Sequence, residues 1–447
     1  QGDALGVGLK QLGQIGLDRL QLSPRHQLPG EGDLDVVGFM RSVAATGYNG
    51  PLSLEIFNDQ FRGGSPKSIS VDGHRSLLYL MDQVRRLEPN IKLDVPAMPE
   101  RIRVNGVEFV EFAADETETE ELGAILHTLG FQRTGQHVSK DVELWRQNEI
   151  NIIINTEREG FAHSSYVVHG TNVCDIGLRV DDAQATVERA KILGADLFDQ
   201  PVGPGELKIP AIRGVGGSVM HFIDGKSDLS RVWDIEFSAT TDETAALNAG
   251  LIRVDHIAQT MNYEEMLTWV LFYTSIFKTG KTSMFDVVDP AGLVRSRAIE
   301  NEEKSLRITL NGADNRRTLA GYFIAESFGS AVQHLAFETN DIFTTTDRLS
   351  ANGFRPLVIS PNYYDDLDAR FGLEQDFLDR LRQSGILYDR NDDGGEYFQL
   401  YSPNYGEGFF FEIVERRGGY DGYGAANAQF RIAAQKRGLR PKGMPRG

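Results

Sequence analysis

Cysteine is almost absent from this chain. Its 447 residues include one, Cys174. No intramolecular disulfide can form, which fits a reducing cytoplasm. Cys174 sits in the apolar-rich stretch NVCDIGLRV, where a small core residue is the expected reading. Long hydrophobic runs are also missing. None approaches the roughly 18 residues of a membrane span. Positive charge is scarce: 46 Lys and Arg stand against 64 Asp and Glu, a formal charge of −18. That balance argues against a nucleic-acid partner, since such proteins present basic patches. There is no phosphate-cradling glycine loop and no nucleophile elbow. The start at Gln1 shows no signal peptide and reads as cut out of something longer. What remains is 40% hydrophobic and 25% charged, an ordinary globular composition long enough for two to four domains.

Residues 1 to 90 alternate between strand and helix patterns. Strands are expected at 16–22 and 50–57. Helices are expected at 33–47, ending at Gly47, and at 72–87, opening on Asp72 as a cap. Residues 91–106, with prolines and little periodicity, read as a linker. Beyond them a weak repeat appears. NGVEFVEFA (105–113) resembles IRVDHIAQT (252–260), NVCDIGLRVDD (172–182) resembles AVQHLAFETND (331–341), and GGSVMHFID resembles GEGFFFEIVE. The repeat predicts two similarly folded domains, 107–225 and 250–416, followed by a C-terminal helix and a frayed basic tail over 417–447. The acidic stretch DRNDDGGEYF lacks the twelfth-position glutamate of a calcium loop and reads as a hairpin turn.

Three matched positions of the second copy hold His256, His334 and Glu412, at equal spacings of 78 residues (334 − 256 and 412 − 334). Each lies in an otherwise apolar strand. Two imidazoles and a carboxylate converging on one cavity form a facial metal triad with open positions for other ligands. A divalent cation would also offset the cost of burying Glu412 inside FFFEIV. The first copy holds Phe109, Asp175 and His221 at these positions, so no triad is expected there and that domain reads as structural. Arg416 and Arg417 read as a solvated strand end.

The segments VDHIA, VQHLAFET, FQLYSP and FFFEIVERRG resemble 4-hydroxyphenylpyruvate dioxygenase, a two-domain member of the vicinal oxygen chelate superfamily. The resemblance implies a metal at His256, His334 and Glu412, with Mg or Fe(II) as candidates, and substrate contacts at Gln333, Gln399 and Asn311. It also places Ser305 beside the Asn311 segment. In the GYGAANA stretch (422–428), Ala428 replaces the family's aromatic clamp. The segment from LQLSPRHQLPGEGD to LSLEIFND resembles the end of a sugar-phosphate isomerase-like TIM barrel, and more closely bacterial 3-dehydroshikimate dehydratase carrying a dioxygenase-like region behind the barrel. That resemblance makes Glu55 a catalytic metal ligand at the end of the last barrel strand. It implies Mg, Mn or Co there, and puts Arg25 and His26 on a substrate-contacting loop.

The implied fold class is α/β plus α+β: the C-terminal part of a TIM barrel, then two vicinal oxygen chelate (βαβββ) domains. The implied function is metal-dependent conversion of 3-dehydroshikimate to protocatechuate in the cytoplasm. Two other readings stand beside it. One is an active dioxygenase acting on an aromatic α-keto acid, and the other is a non-catalytic structural or oligomerisation module. Homo-oligomerisation is left open.

Overall fold

The computed structural model describes residues 28–32, 34–56, 65–240 and 246–439. Two nine-stranded sheets dominate it. Each is built from two βαβββ units whose first strands pair antiparallel at the centre. In the first sheet these are Val104–Ala113 and Asn172–Val180, and each is flanked in parallel by the last strand of its own unit, Ile150–Asn155 and Val219–Ile223. The second sheet repeats the plan with Leu251–Asn262 and Ala331–Thr339 at the centre, flanked by Arg307–Ala313 and Phe410–Arg417.

The ladders share a register. Phe109 faces Gly177, which faces His221. His256 faces Ala336, which faces Glu412. Asp175 and His334 each sit two residues before the central member of their row, on the same face. The positions matched in sequence are thus matched in space. The opposite faces of the two sheets share one apolar core. Phe131 meets Phe337 with ring centroids 5.5 Å apart, and Phe112 meets Phe409 at 5.2 Å.

The amino-terminal region contributes helices Val36–Ala45 and Pro66–Leu87. The first is capped by Asp35, whose carboxylate accepts from Gly38 N at 2.7 Å. The second begins six residues before the expected Asp72 cap, because Pro66 pre-sets the first helical turn behind Ser65. Asp72 instead lies buried in mid-helix. It pairs with Arg75 at 2.6 Å and accepts from Thr268 Oγ1 at 2.6 Å. Residues 51–56 form no ladder with any described strand, so the expected strand is not seen there. The expected strand at 16–22 lies outside the described residues.

The expected linker is docked rather than free. Ile102 is buried and bridges to Phe277, and Lys278 N donates to Ile102 O at 2.7 Å. Arg189 explains much of this rigidity. Its side chain is fully buried, and it donates to Ser275 O (2.7 Å), Pro99 O (2.6 Å) and Asp82 Oδ2 (3.1 Å). One guanidinium thereby ties the first sheet's helix Ala183–Ile192 to the linker, to the Pro66–Leu87 helix and to the helix Tyr263–Ile276. Its planar fork of donors suits this role, and a lysine could not reproduce it. Arg189→Met should cost roughly 3–5 kcal/mol, the scale of breaking a buried ion pair. The measurement is the urea midpoint of the first unfolding transition, and an unchanged midpoint would refute the assignment.

Candidate metal centre

His256, His334 and Glu412 converge on one cavity over the second sheet. All three are buried. Nε2 of His256 lies 3.2 Å from Nε2 of His334, and Oε2 of Glu412 lies 3.4 and 3.3 Å from those two nitrogens. The three atoms form a nearly equilateral triangle. One face of an octahedron with bonds of about 2.1 Å has edges of about 3.0 Å, so the donor set fits a hard or borderline divalent cation with little movement. Among the described residues this is the one group of three or more His, Cys, Asp or Glu side chains whose ligand atoms lie within 4.8 Å of each other.

The protonation states of His334 and Glu412 suit ligation. Burial pushes His334 down to about 4, so it is a neutral imidazole near pH 7. Burial opposes the Glu412 charge, but the neighbouring His256 and His334 outweigh it and hold the carboxylate well below its usual range. His256 Nδ1 lies 2.7 Å from Asp255 Oδ1. Donation by Nδ1–H to that carboxylate leaves the Nε2 lone pair facing the cavity, as a metal-ligating histidine requires.

Asp255 is itself held by arginine. Arg416 donates to both of its oxygens, at 2.8 and 2.9 Å, and Arg307 donates to Oδ2 at 3.0 Å. Arg416 is therefore not the solvated strand end expected. Its side chain is buried and stands 4.5 Å over the Tyr397 ring. Side chains alternate along a strand, so Arg416 shares the face of Glu412. That spacing was the missed signal, together with an aspartate directly preceding the ligand histidine. Arg417 points the other way and pairs with Glu415 at 2.6 Å.

Gln399 and Asn427 steady Glu412. Gln399 Nε2 donates to Glu412 Oε1 at 2.9 Å, and Asn427 Nδ2 donates to Gln399 Oε1 at 2.9 Å. The cavity has a volume of about 80 Å³, and Gln333, Gln399 and Asn311 all line it. Gln333 accepts from Thr260 at 2.7 Å, and Asn311 accepts from Ser296 at 2.8 Å. Ser305 lies elsewhere, bonded to Val104 O. The run expected to fray is in part the ordered helix Ala425–Gly438, which roofs the cavity with Ala425, Ala428, Arg431 and Ile432. Lys436 anchors it to Asp289 at 2.5 Å. Glu55 is exposed and joins no such ligand group among the described residues. Arg25 and His26 lie outside the described residues.

Comparison with known proteins agrees with this architecture. The family described as hydroxyphenylpyruvate dioxygenase, N-terminal, matches residues 99–238. The glyoxalase/bleomycin resistance protein/dioxygenase superfamily matches residues 253–380. The chain is 32% identical to the 4-hydroxyphenylpyruvate dioxygenase of Pseudomonas aeruginosa over 329 residues, covering 73% of this chain and 92% of the relative. Paired βαβββ sheets and a His-His-Glu cluster thus define a vicinal oxygen chelate module of the hydroxyphenylpyruvate dioxygenase type with a divalent metal site. The 3-dehydroshikimate dehydratase of Pseudomonas putida is 42% identical over 426 residues, covering 94% of this chain and 67% of the relative. A solved xylose isomerase-like TIM barrel/4-hydroxyphenylpyruvate dioxygenase fusion protein superposes with a TM-score of 0.82 at 41% identity, covering 94% of this chain and 68% of that one. This chain belongs to the family of 3-dehydroshikimate dehydratases in which a TIM barrel is fused to such a module. No described helix is long and apolar enough to cross a membrane.

Gln399→Met keeps the side-chain volume but removes the donor to Glu412. It should weaken divalent-metal binding by about 10- to 100-fold, the usual effect of losing a partner that orients a ligand. Competition against a metallochromic chelator measures this, and wild-type affinity would rule out the positioning role.

Proposed function

We propose that this chain forms the C-terminal part of a metal-dependent 3-dehydroshikimate dehydratase, a hydro-lyase that converts 3-dehydroshikimate to protocatechuate and water. The observation that carries the proposal is the 42% identity to the Pseudomonas putida dehydratase across 94% of the chain. In this reading residues 1–90 belong to the barrel, 91–106 join it to the module, 107–225 and 250–416 are the two oxygen-chelate domains, and the remainder roofs the second. Glu55 is a ligand of the barrel metal (Mg, Mn or Co), and Arg25 and His26 meet the substrate. Gln333 and Asn311 face whatever small molecule enters the second module.

At the second site, His256, His334 and Glu412 would hold Mg or Fe(II). The bound cation supplies Lewis-acid polarisation of a chelated oxygen. The protein's own residues do the rest. Asp255 fixes the His256 tautomer, Gln399 fixes the Glu412 rotamer, and the Ala425–Gly438 helix excludes water. In the barrel, Glu55 would help hold the metal, which would polarise the substrate carbonyl so that the α proton and water can be lost.

The dioxygenase reading gains from the triad and loses from the cavity. At about 80 Å³ it is far below the roughly 300 Å³ at which small-molecule pockets begin, and Ala428 offers no ring for stacking.

Two substitutions in the full-length enzyme separate the sites. Glu55→Gln should abolish protocatechuate formation from 3-dehydroshikimate, followed by absorbance, while leaving the second metal in place. His334→Ala should lower bound metal by about one ion per chain and leave the dehydratase rate within about twofold, since this imidazole would serve the second metal alone. Full activity in Glu55→Gln would overturn the barrel assignment. Unchanged metal stoichiometry in His334→Ala would overturn the triad.

A further inference from the structure

The face of the first sheet that corresponds to the metal centre is open. A cavity of about 740 Å³ lies on it, within the roughly 300–1,000 Å³ range of small-molecule sites. Its floor is the row equivalent to the triad: Phe109, Asp175 and His221, with Glu111 two residues beyond Phe109. Asp175 Oδ2 lies 2.5 Å from His221 Nδ1. Its other oxygen, Oδ1, is buried with no hydrogen-bond partner among the described residues, although the side chain is only 6% exposed. Glu111 faces Asp175 across the ladder, and its Oε1 accepts from Asn155 Nδ2 at 2.8 Å. Burial first, then the neighbouring Asp175 charge, raise Glu111 to about 7.

A buried carboxylate oxygen is destabilising unless a donor reaches it. The described residues here form no group of three metal-ligand atoms within 4.8 Å of one another, unlike the second sheet. Aromatic rings stand among the polar and charged side chains of the walls. Trp233 stands edge-on to Phe109 at 5.9 Å, Phe198 stands edge-on to His221 at 6.0 Å, and Arg213 lies 4.5 Å over the Phe198 ring. Such walls favour a planar apolar body.

We infer that the first oxygen-chelate domain is a second small-molecule site, taking a compact aromatic ligand whose hydroxyl or ammonium group donates to Asp175 Oδ1 while its ring packs against Phe109, Phe198 and Trp233. The site is independent of the metal centre and of the barrel. It also revises the expectation that losing the triad left this domain purely structural.

Titration calorimetry on the full chain tests this with three probes of similar size. p-Cresol carries a hydroxyl donor, benzylamine carries an ammonium, and anisole carries no donor. At least one of the first two should bind with a Kd below roughly 1 mM, and anisole should bind at least tenfold more weakly, a difference of about 1.4 kcal/mol. Asp175→Asn should weaken the bound probe about tenfold. Trp233→Ala, on the cavity wall, should weaken it as well and serves if Asp175→Asn does not fold. His334→Ala should leave the affinity unchanged. Failure of both donor probes to bind, equal binding of anisole, or loss of binding in His334→Ala would overturn the inference.

Discussion

The second site depends on a single row across three strands. His256, Ala336 and Glu412 are neighbours because a central antiparallel pair is flanked by a parallel strand in fixed register. Side-chain direction alternates with every residue, so a slip of one position would turn each ligand into the apolar core behind the sheet. Long-range strand pairing thereby does what sequence proximity cannot, gathering ligands separated by scores of residues onto one face. Alanine at the middle of the row leaves room between them. His334 enters from two residues along the same strand, where its ring stacks on Phe410 at 4.7 Å.

That row concentrates charge where water is scarce, and the surrounding polar groups are arranged to tolerate it. Glu412 is met by Gln399, which is met by Asn427, which accepts from the Tyr363 hydroxyl at 3.0 Å. Asp255 is met by His256 and two arginines. Burial opposes the Asp255 charge, but Arg416 and His256 together hold its carboxyl well below the usual range. A partly satisfied buried network is worse than none. The chain from Glu412 ends on Tyr388 O through Tyr363, while His334 Nδ1 and Arg307 Nε have no hydrogen-bond partner among the described residues. Arg416 ends on Gly422 O. The roofing helix and the metal-facing strands are thus parts of one hydrogen-bonded unit.

The sequence made the ligands legible because each is a polar residue inside an apolar strand, at equal spacing in a repeated pattern. Arg416 was legible in principle by its even spacing from Glu412, but two adjacent arginines after an apolar run resemble a solvated end. The Asp72 cap misled because capping residues also serve inside helices when a partner is near, and Arg75 and Thr268 are partners from different parts of the chain. The linker looked free because prolines suppress periodicity, while its docking depends on Arg189, far away in sequence. Glu55 was read from resemblance alone. It sits on an extended segment that pairs with no described strand.

The two halves of the module then differ for a reason no strand pattern contains. Both sheets present equivalent rows, but different elements cover them. A fourteen-residue helix closes over the second row and leaves about 80 Å³. Over the first row lie shorter pieces, among them the five-residue helix Val232–Glu236, and about 740 Å³ remains. Phe109 stands where the second row has His256, but it does not fill the space or neutralise Asp175 and Glu111. The first row therefore sits under a polar-floored cavity with aromatic rings among its walls. Such a surface retains buried carboxylates that a purely structural face would be better without, because apolar residues of equal volume would remove the desolvation cost.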